Sequence, residues 1–131
     1  MIVVDASAVV EALVGLEPDP WLWDALAGEL AAPQLLDVEV LSALRALTFA
    51  HRLEQKVAEQ AVQDHFSLNI HRHEMAPLAT RVWGLRHRFT AYEANYLALA
   101  EGLGVPLVTC DAKLATDGHA VEVRVASPSR R

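Results

Sequence analysis

The chain has 131 residues, 53% of them hydrophobic and 21% charged, a composition that excludes a disordered chain and suits a domain able to bury its own core. Eleven Lys and Arg against seventeen Asp and Glu leave a net charge of −6, which excludes coating of nucleic acid by bulk charge but not an enzyme that meets a phosphate backbone through metal ions. A single cysteine, Cys110, excludes an internal disulfide; with no basic, apolar leader in MIVVDAS and no apolar run near the roughly 20 residues of a membrane span, a cytoplasmic protein away from membranes is expected.

Ile2-Val3-Val4 is short, β-branched and continuous, and reads as a buried strand ending at Asp5. Ser7 is placed to cap a helix running to residue 14. After Pro18-Asp19-Pro20, a helix to about residue 30 carries Trp21, Leu22 and Trp23, either as core or as a groove for a partner helix. Residues 32–35 read as briefly extended, and a helix over 36–52 repeats Val40, Leu41, Leu44 and Leu47. A further helix covers about 54–68, followed by an extended, exposed edge over 69–73 with His71 and His73 on one side. Residues 75–87 read as one helix with Pro77 in its first turn, and 91–103 as another that closes at Gly104. Residues 105–110 are a second buried strand ending at a carboxylate, Asp111, and 121–125 a last extended segment. Strands alternating with helices predict one α/β domain over 1–131 around a parallel sheet. Such sheets gather their ligands outside the carboxyl ends of strands, where Asp5 and Asp111 fall.

Four acids keep unusual company. Asp5 and Asp111 end apolar strands, Glu39 shares its helix face with Ala43, Ala46 and Ala50, and Glu93 shares its face with Leu97 and Ala100. If the four converge, their repulsion is costly unless a cation neutralises it, and hard oxygen ligands select Mg²⁺ or Mn²⁺. Carboxylate-held ions of this kind activate water against a phosphodiester. Each acid also has a plain structural role open to it: Asp5 and Asp111 as caps, Glu39 at a helix N-terminus, and Thr90-Ala91-Tyr92-Glu93 as a capping box. Ser7 and Thr109 are hydroxyls placed to support the acids, and Cys110 points away as a small core residue. Arg81, Arg86, His87 and Arg88 form a basic patch, read either as a solvated helix face or as a rim that contacts phosphate. The six histidines make no zinc pattern, and neither a phosphate-binding G-x-x-x-x-G-K-[ST] loop nor a G-x-S-x-G elbow occurs.

Four stretches in order, IVVDASAVVEAL, DVEVLSALRAL, HEMAPLATRVWGLRHRFTAYEANYLALA and EGLGVPLVTCDAKLA, resemble the PIN-domain ribonucleases, and within them the VapC toxins of bacterial toxin–antitoxin pairs. The resemblance implies an α/β/α sandwich with a mainly parallel central sheet, and Mg²⁺- or Mn²⁺-dependent endoribonuclease activity. It implies that Asp5, Glu39, Glu93 and Asp111 are the metal-binding and catalytic quartet, with Ser7 and Thr109 supporting it. It further implies a homodimer and a cognate VapB antitoxin. The family commonly has Asp where this chain has Glu93. Two other expectations stay open: a PIN-like module that binds without turnover, and a metal-dependent DNA nuclease.

Overall fold

Ile2–Val4 forms the first strand (β1) of a five-stranded sheet in the computed structural model, which describes residues 1–129. The chain continues through α1 (Ala6–Val14), α2 (Pro20–Leu26), β2 (Leu30–Pro33), α3 (Leu35–Phe49) and α4 (Gln55–Ser67). It then runs through β3 (Ile70–His73), α5 (Ala79–Gly84), α6 (Ala91–Leu103), β4 (Leu107–Thr109) and β5 (Val123–Val125). Short 3-10 turns cover Ala76–Leu78 and Ala112–Ala115.

The strand order is β3-β2-β1-β4-β5 and every pairing is parallel. Helices α1, α3 and α4 pack together, while α6, backed by α5, lies against β1, β2 and β4, giving the expected α/β/α sandwich. Val3, Val4, Leu107 and Val108 are fully buried, which is why the two central strands read as unbroken apolar runs. Because Val4 pairs with Val108, Asp5 and Thr109 leave the sheet at the same height. The domain expected over 1–131 is one sandwich across the described residues; positions 130 and 131 lie outside them. Among the described residues no helix is long and apolar enough to cross a membrane.

Helix α6 has the expected bounds, closed by Gly104 in the left-handed conformation (φ 66°) that a side chain disfavours. Elsewhere the boundaries move. Asp5, not Ser7, caps α1: its carboxylate accepts the Ala8 N–H, and Ser7 sits inside the helix. Helix α2 stops at Leu26, because Leu30, Ala31 and Ala32 are needed as a fully buried strand; apolar periodicity alone cannot separate such a strand from the end of a helix. Helix α3 ends at Phe49, just before His51 turns left-handed (φ 55°). The single helix expected over 75–87 is a 3-10 turn followed by the six-residue α5. Leu22 is fully buried, whereas Trp21 and Trp23 are 37% and 49% exposed.

Candidate active site

The candidate acids are built around the exits of β1 and β4. Asp5 is only 6% exposed. Its Oδ1 accepts the Ala8 N–H at 3.1 Å and the Ser7 hydroxyl at 2.7 Å, and its Oδ2 accepts the Thr109 hydroxyl at 2.5 Å. Burial pushes the Asp5 carboxyl above the usual range; the two hydroxyls and the Ala8 N–H pull it back, and the nearby Asp111 charge pushes it up again. The hydroxyls also stitch the two strand exits together. Ser7 Oγ accepts the Cys110 N–H at 2.9 Å, and Thr109 Oγ1 accepts the Asp111 N–H at 2.9 Å. Asp111 caps the following 3-10 turn by accepting the Lys113 N–H at 3.0 Å.

Glu39 enters from α3, where its Oε1 accepts the Tyr96 hydroxyl at 2.6 Å. Tyr96 is 3% exposed on α6. Burial, the Glu39 hydrogen bond and the charges of Glu39 and Asp5 push its phenol far above its ordinary range, so it remains a donor at any physiological pH. Tyr96 therefore joins the Glu39 carboxylate to the neighbourhood of Asp5. It went unnoticed in the sequence, although its position three residues after Glu93 places it on the same helix face.

Glu93 forms the expected capping box. Its Oε1 accepts the Thr90 N–H at 2.8 Å, and its own N–H donates to Thr90 Oγ1 at 3.1 Å. The same Oε1 receives Lys113 Nζ at 3.0 Å. Burial opposes ionisation, but the Thr90 N–H and then Lys113 outweigh it and hold the Glu93 carboxyl below its ordinary range. Lys113 is the second residue the sequence did not disclose. It holds Asp111 through its backbone and Glu93 through its ammonium, so the site has a resident cation.

Each of the four carboxylates is thus turned onto a donor of the chain itself. Among the described residues no group of three or more His, Cys, Asp or Glu side chains stands ready-made as a metal cage. Ser7, Glu39 and Cys110, with Val10, Glu11 and Leu47, line an open cleft of about 390 Å³. Cys110 is half-buried, packed against the core at the wall of that cleft, and burial pushes its thiol up to about 11, so it is not a thiolate at neutral pH. A Cβ at Gly15 would collide with the Glu11 side chain and backbone, so this end of the cleft requires glycine.

The basic patch is largely engaged elsewhere. Arg81 makes a two-pronged ion pair with Glu101, at 2.7 and 3.0 Å. Glu101 lies near the far end of α6, about 12 Å along the axis from Glu93 at the ordinary helical rise. Arg86 lies 4.7 Å over the Trp83 ring and donates to the Trp83 carbonyl at 3.0 Å, and Arg88 lies against Gly118.

No protein-family model matches the chain. It is 37% identical to ribonuclease VapC12 of Mycobacterium tuberculosis, over 97% of this chain and 100% of that protein. It is 40% identical to ribonuclease VapC9 of the same organism, over 92% of this chain and 93% of the relative. Among solved structures, PAE2754 from Pyrobaculum aerophilum superposes with a TM-score of 0.70 at 26% identity, covering 92% of this chain and 87% of that one.

Proposed function

The chain belongs to the VapC ribonuclease family, and from that membership we propose that it is the RNA-cleaving toxin of a toxin–antitoxin pair, an endoribonuclease that requires Mg²⁺ or Mn²⁺. The observation that carries the reading is the juxtaposition of the buried Asp5 with Asp111 at the exits of the two central strands. A carboxyl pushed up by burial and by a neighbouring like charge favours whatever neutralises it, and an all-oxygen donor set fits a hard divalent ion. Asp5, Glu39 and Asp111 would hold it, with Glu93 joining once it leaves Lys113. When bound, such an ion supplies Lewis acidity and lowers the pKa of a water against a phosphodiester.

The chain's own residues then have distinct tasks. Ser7 and Thr109 fix the orientation of both Asp5 oxygens. Tyr96 fixes Glu39. Lys113 sets a positive charge beside the acids, where the RNA backbone would pass. The Tyr96 role gives a clear expectation: Tyr96→Phe folds but needs about tenfold more Mn²⁺ for half-maximal cleavage, because a hydrogen bond to a charged oxygen is lost. A metal titration of RNA cleavage reads this directly.

The partners in this reading are the RNA substrate, a small antitoxin of the VapB kind, and a second copy of the chain in a homodimer. The exposed Trp21 and Trp23 on α2 support a surface covered by a partner. Expression of the chain alone is expected to stop bacterial growth, with relief by a small protein encoded beside it. Sequencing of RNA 5′ ends after induction should reveal new termini that vanish in Asp5→Asn. Normal growth at high soluble expression would overturn the toxin reading. A module that binds RNA without cutting it is favoured by one observation, the engagement of Glu93 by both Thr90 and Lys113. Cleavage by the purified protein separates the two, and preference for RNA over DNA excludes the DNA nuclease.

A further inference from the structure

Lys113 touches two of the candidate acids from one fixed root. Its backbone N–H donates to Asp111 Oδ1 at 3.0 Å, and its carbonyl accepts the Thr116 N–H at 3.2 Å and the Thr116 hydroxyl at 2.7 Å. The next residue, Leu114, is 2% exposed and seats the turn in the core. The side chain of Lys113 is held far less firmly. It is 51% exposed, and its ammonium pairs with Glu93 Oε1 at 3.0 Å. A four-carbon stem on a pinned backbone can swing its charge from one anion to another close by.

Its partner sets Lys113 apart. Arg72, Arg81 and Arg124 pair with Asp37, Glu101 and Glu122, none of them a candidate acid. Lys113 pairs with a carboxylate that the proposed ion would also use. Glu93 Oε1 accepts the Thr90 N–H at 2.8 Å as well, so one oxygen carries both a helix cap and an ion pair. A half-exposed ion pair is weak and readily exchanged. An ammonium and a divalent ion on one carboxylate repel each other, so each favours the departure of the other.

We propose that Lys113 is exchanged between Glu93 and the nucleic-acid backbone: it occupies Glu93 in the metal-free protein and, when Glu93 turns to a divalent ion, it is released to grip a phosphate of the strand at the acids. The proposal rests on the metal-dependent nuclease reading above. An ammonium suits the task, because it meets phosphate as a point charge with three rotatable donors and needs no fixed fork. Such a contact positions the strand without reading its bases. The consequence is a coupling between two ligands. Without the ion, Lys113 is committed to Glu93 and adds nothing to the grip on nucleic acid. With the ion, it adds a phosphate contact. By reciprocity, a strand that holds Lys113 leaves Glu93 to the ion and tightens it.

The test reads binding rather than turnover. Wild type, Lys113→Met and Lys113→Arg are each titrated with Mn²⁺ by calorimetry. Each is then titrated with fluorescein-labelled oligothymidylate, in EDTA and in saturating Mn²⁺, with the oligonucleotide checked by gel for intactness. A DNA strand serves because the contact is to phosphate. Lys113→Met keeps the backbone bonds to Asp111 and Thr116, so it folds, and thermal melting in EDTA verifies this. Lys113→Met is expected to bind Mn²⁺ about fivefold more tightly than the wild type. In EDTA the two bind the oligonucleotide alike. In Mn²⁺ Lys113→Met binds it about tenfold more weakly, and Lys113→Arg restores the grip. An equal loss of oligonucleotide affinity with and without Mn²⁺ would make Lys113 a fixed rim cation. No loss in either condition would make it a bystander, and unchanged Mn²⁺ affinity in Lys113→Met would mean that Glu93 is not shared. Each of these overturns the proposal. Failure of the wild type to bind Mn²⁺, or to cleave RNA with it, overturns the nuclease reading itself, and the wild-type measurements alone tell that result from the other three.

Discussion

Asp5→Asn is expected to abolish RNA cleavage while leaving the protein folded and no less stable. The loss should exceed about 100-fold, since removing even a supporting partner of a metal ligand costs 10–100-fold, and here the ligand itself loses its charge. The fold should tolerate the change because Asn caps a helix as well as Asp does, and the Ala8 N–H still finds a side-chain oxygen. Stability follows from the direction of the Asp5 shift. A carboxyl raised in the folded state favours folding at low pH, and that contribution is lost as pH rises through the folded value. Above that value the buried Asp5 charge is a burden on the metal-free protein, and the neutral amide lifts it. Melting in EDTA at neutral pH should give a midpoint for Asp5→Asn equal to or above that of the wild type. Asp111→Asn should lose cleavage in the same way. Wild-type cleavage by either variant would remove that residue from the site.

The second large effect is expected at Glu93, where two roles overlap. As a cap alone, Glu93→Gln would be nearly harmless, because Gln serves at the same position of a capping box. The Lys113 pair changes that little, since an ion pair to a half-exposed lysine at the surface contributes about 0–1 kcal/mol. As a metal-site carboxylate, Glu93→Gln should lose most activity, because a neutral amide oxygen is a weak partner for a divalent ion. We expect the second result. Glu93→Asp should keep or raise activity, restoring the shorter acid common in the family. Thr90→Ala isolates the cap: it should lower stability by about 1 kcal/mol and leave cleavage nearly intact. Rates at saturating Mg²⁺ for the three variants, with denaturant unfolding of each, decide the matter. Full activity in Glu93→Gln would leave a centre of three acids.

These expectations rest on parts of the molecule that the sequence disclosed unevenly. Helix α6 was legible to the residue because Thr90, Glu93 and Gly104 supply local punctuation at both ends. The central strands were legible because burial on both faces leaves unbroken apolar runs ending at Asp5 and Asp111. The start of β2 was not, since Leu30 and the two alanines after it suit a helix equally well, and only pairing with β1 and β3 decides. The site residues divide along the same line. Tyr96 and Lys113 act through partners 57 and 20 positions away, and no local pattern announces such a contact. The cap on α1 is open in the sequence between Asp5 and Ser7, because both residues suit the role. The structure gives the cap to Asp5 and turns the Ser7 hydroxyl back onto it.

The strand order has a consequence for how the protein comes into being. β1 precedes the other four strands in the chain, yet it lies in the middle of the sheet, and its neighbour β4 follows only after α6. The Thr109 hydroxyl that orients Asp5 is 104 positions away along the chain. Closing so long a loop is slow compared with forming helices, and the pairing has no substitute nearer in sequence. A growing chain on the ribosome can pair β1 with β2 and β2 with β3, but Asp5 lacks its Thr109 partner and the neighbouring Asp111 and Lys113 until elongation passes β4. The residues proposed to hold the metal come together only when the second central strand docks, after α6 has formed.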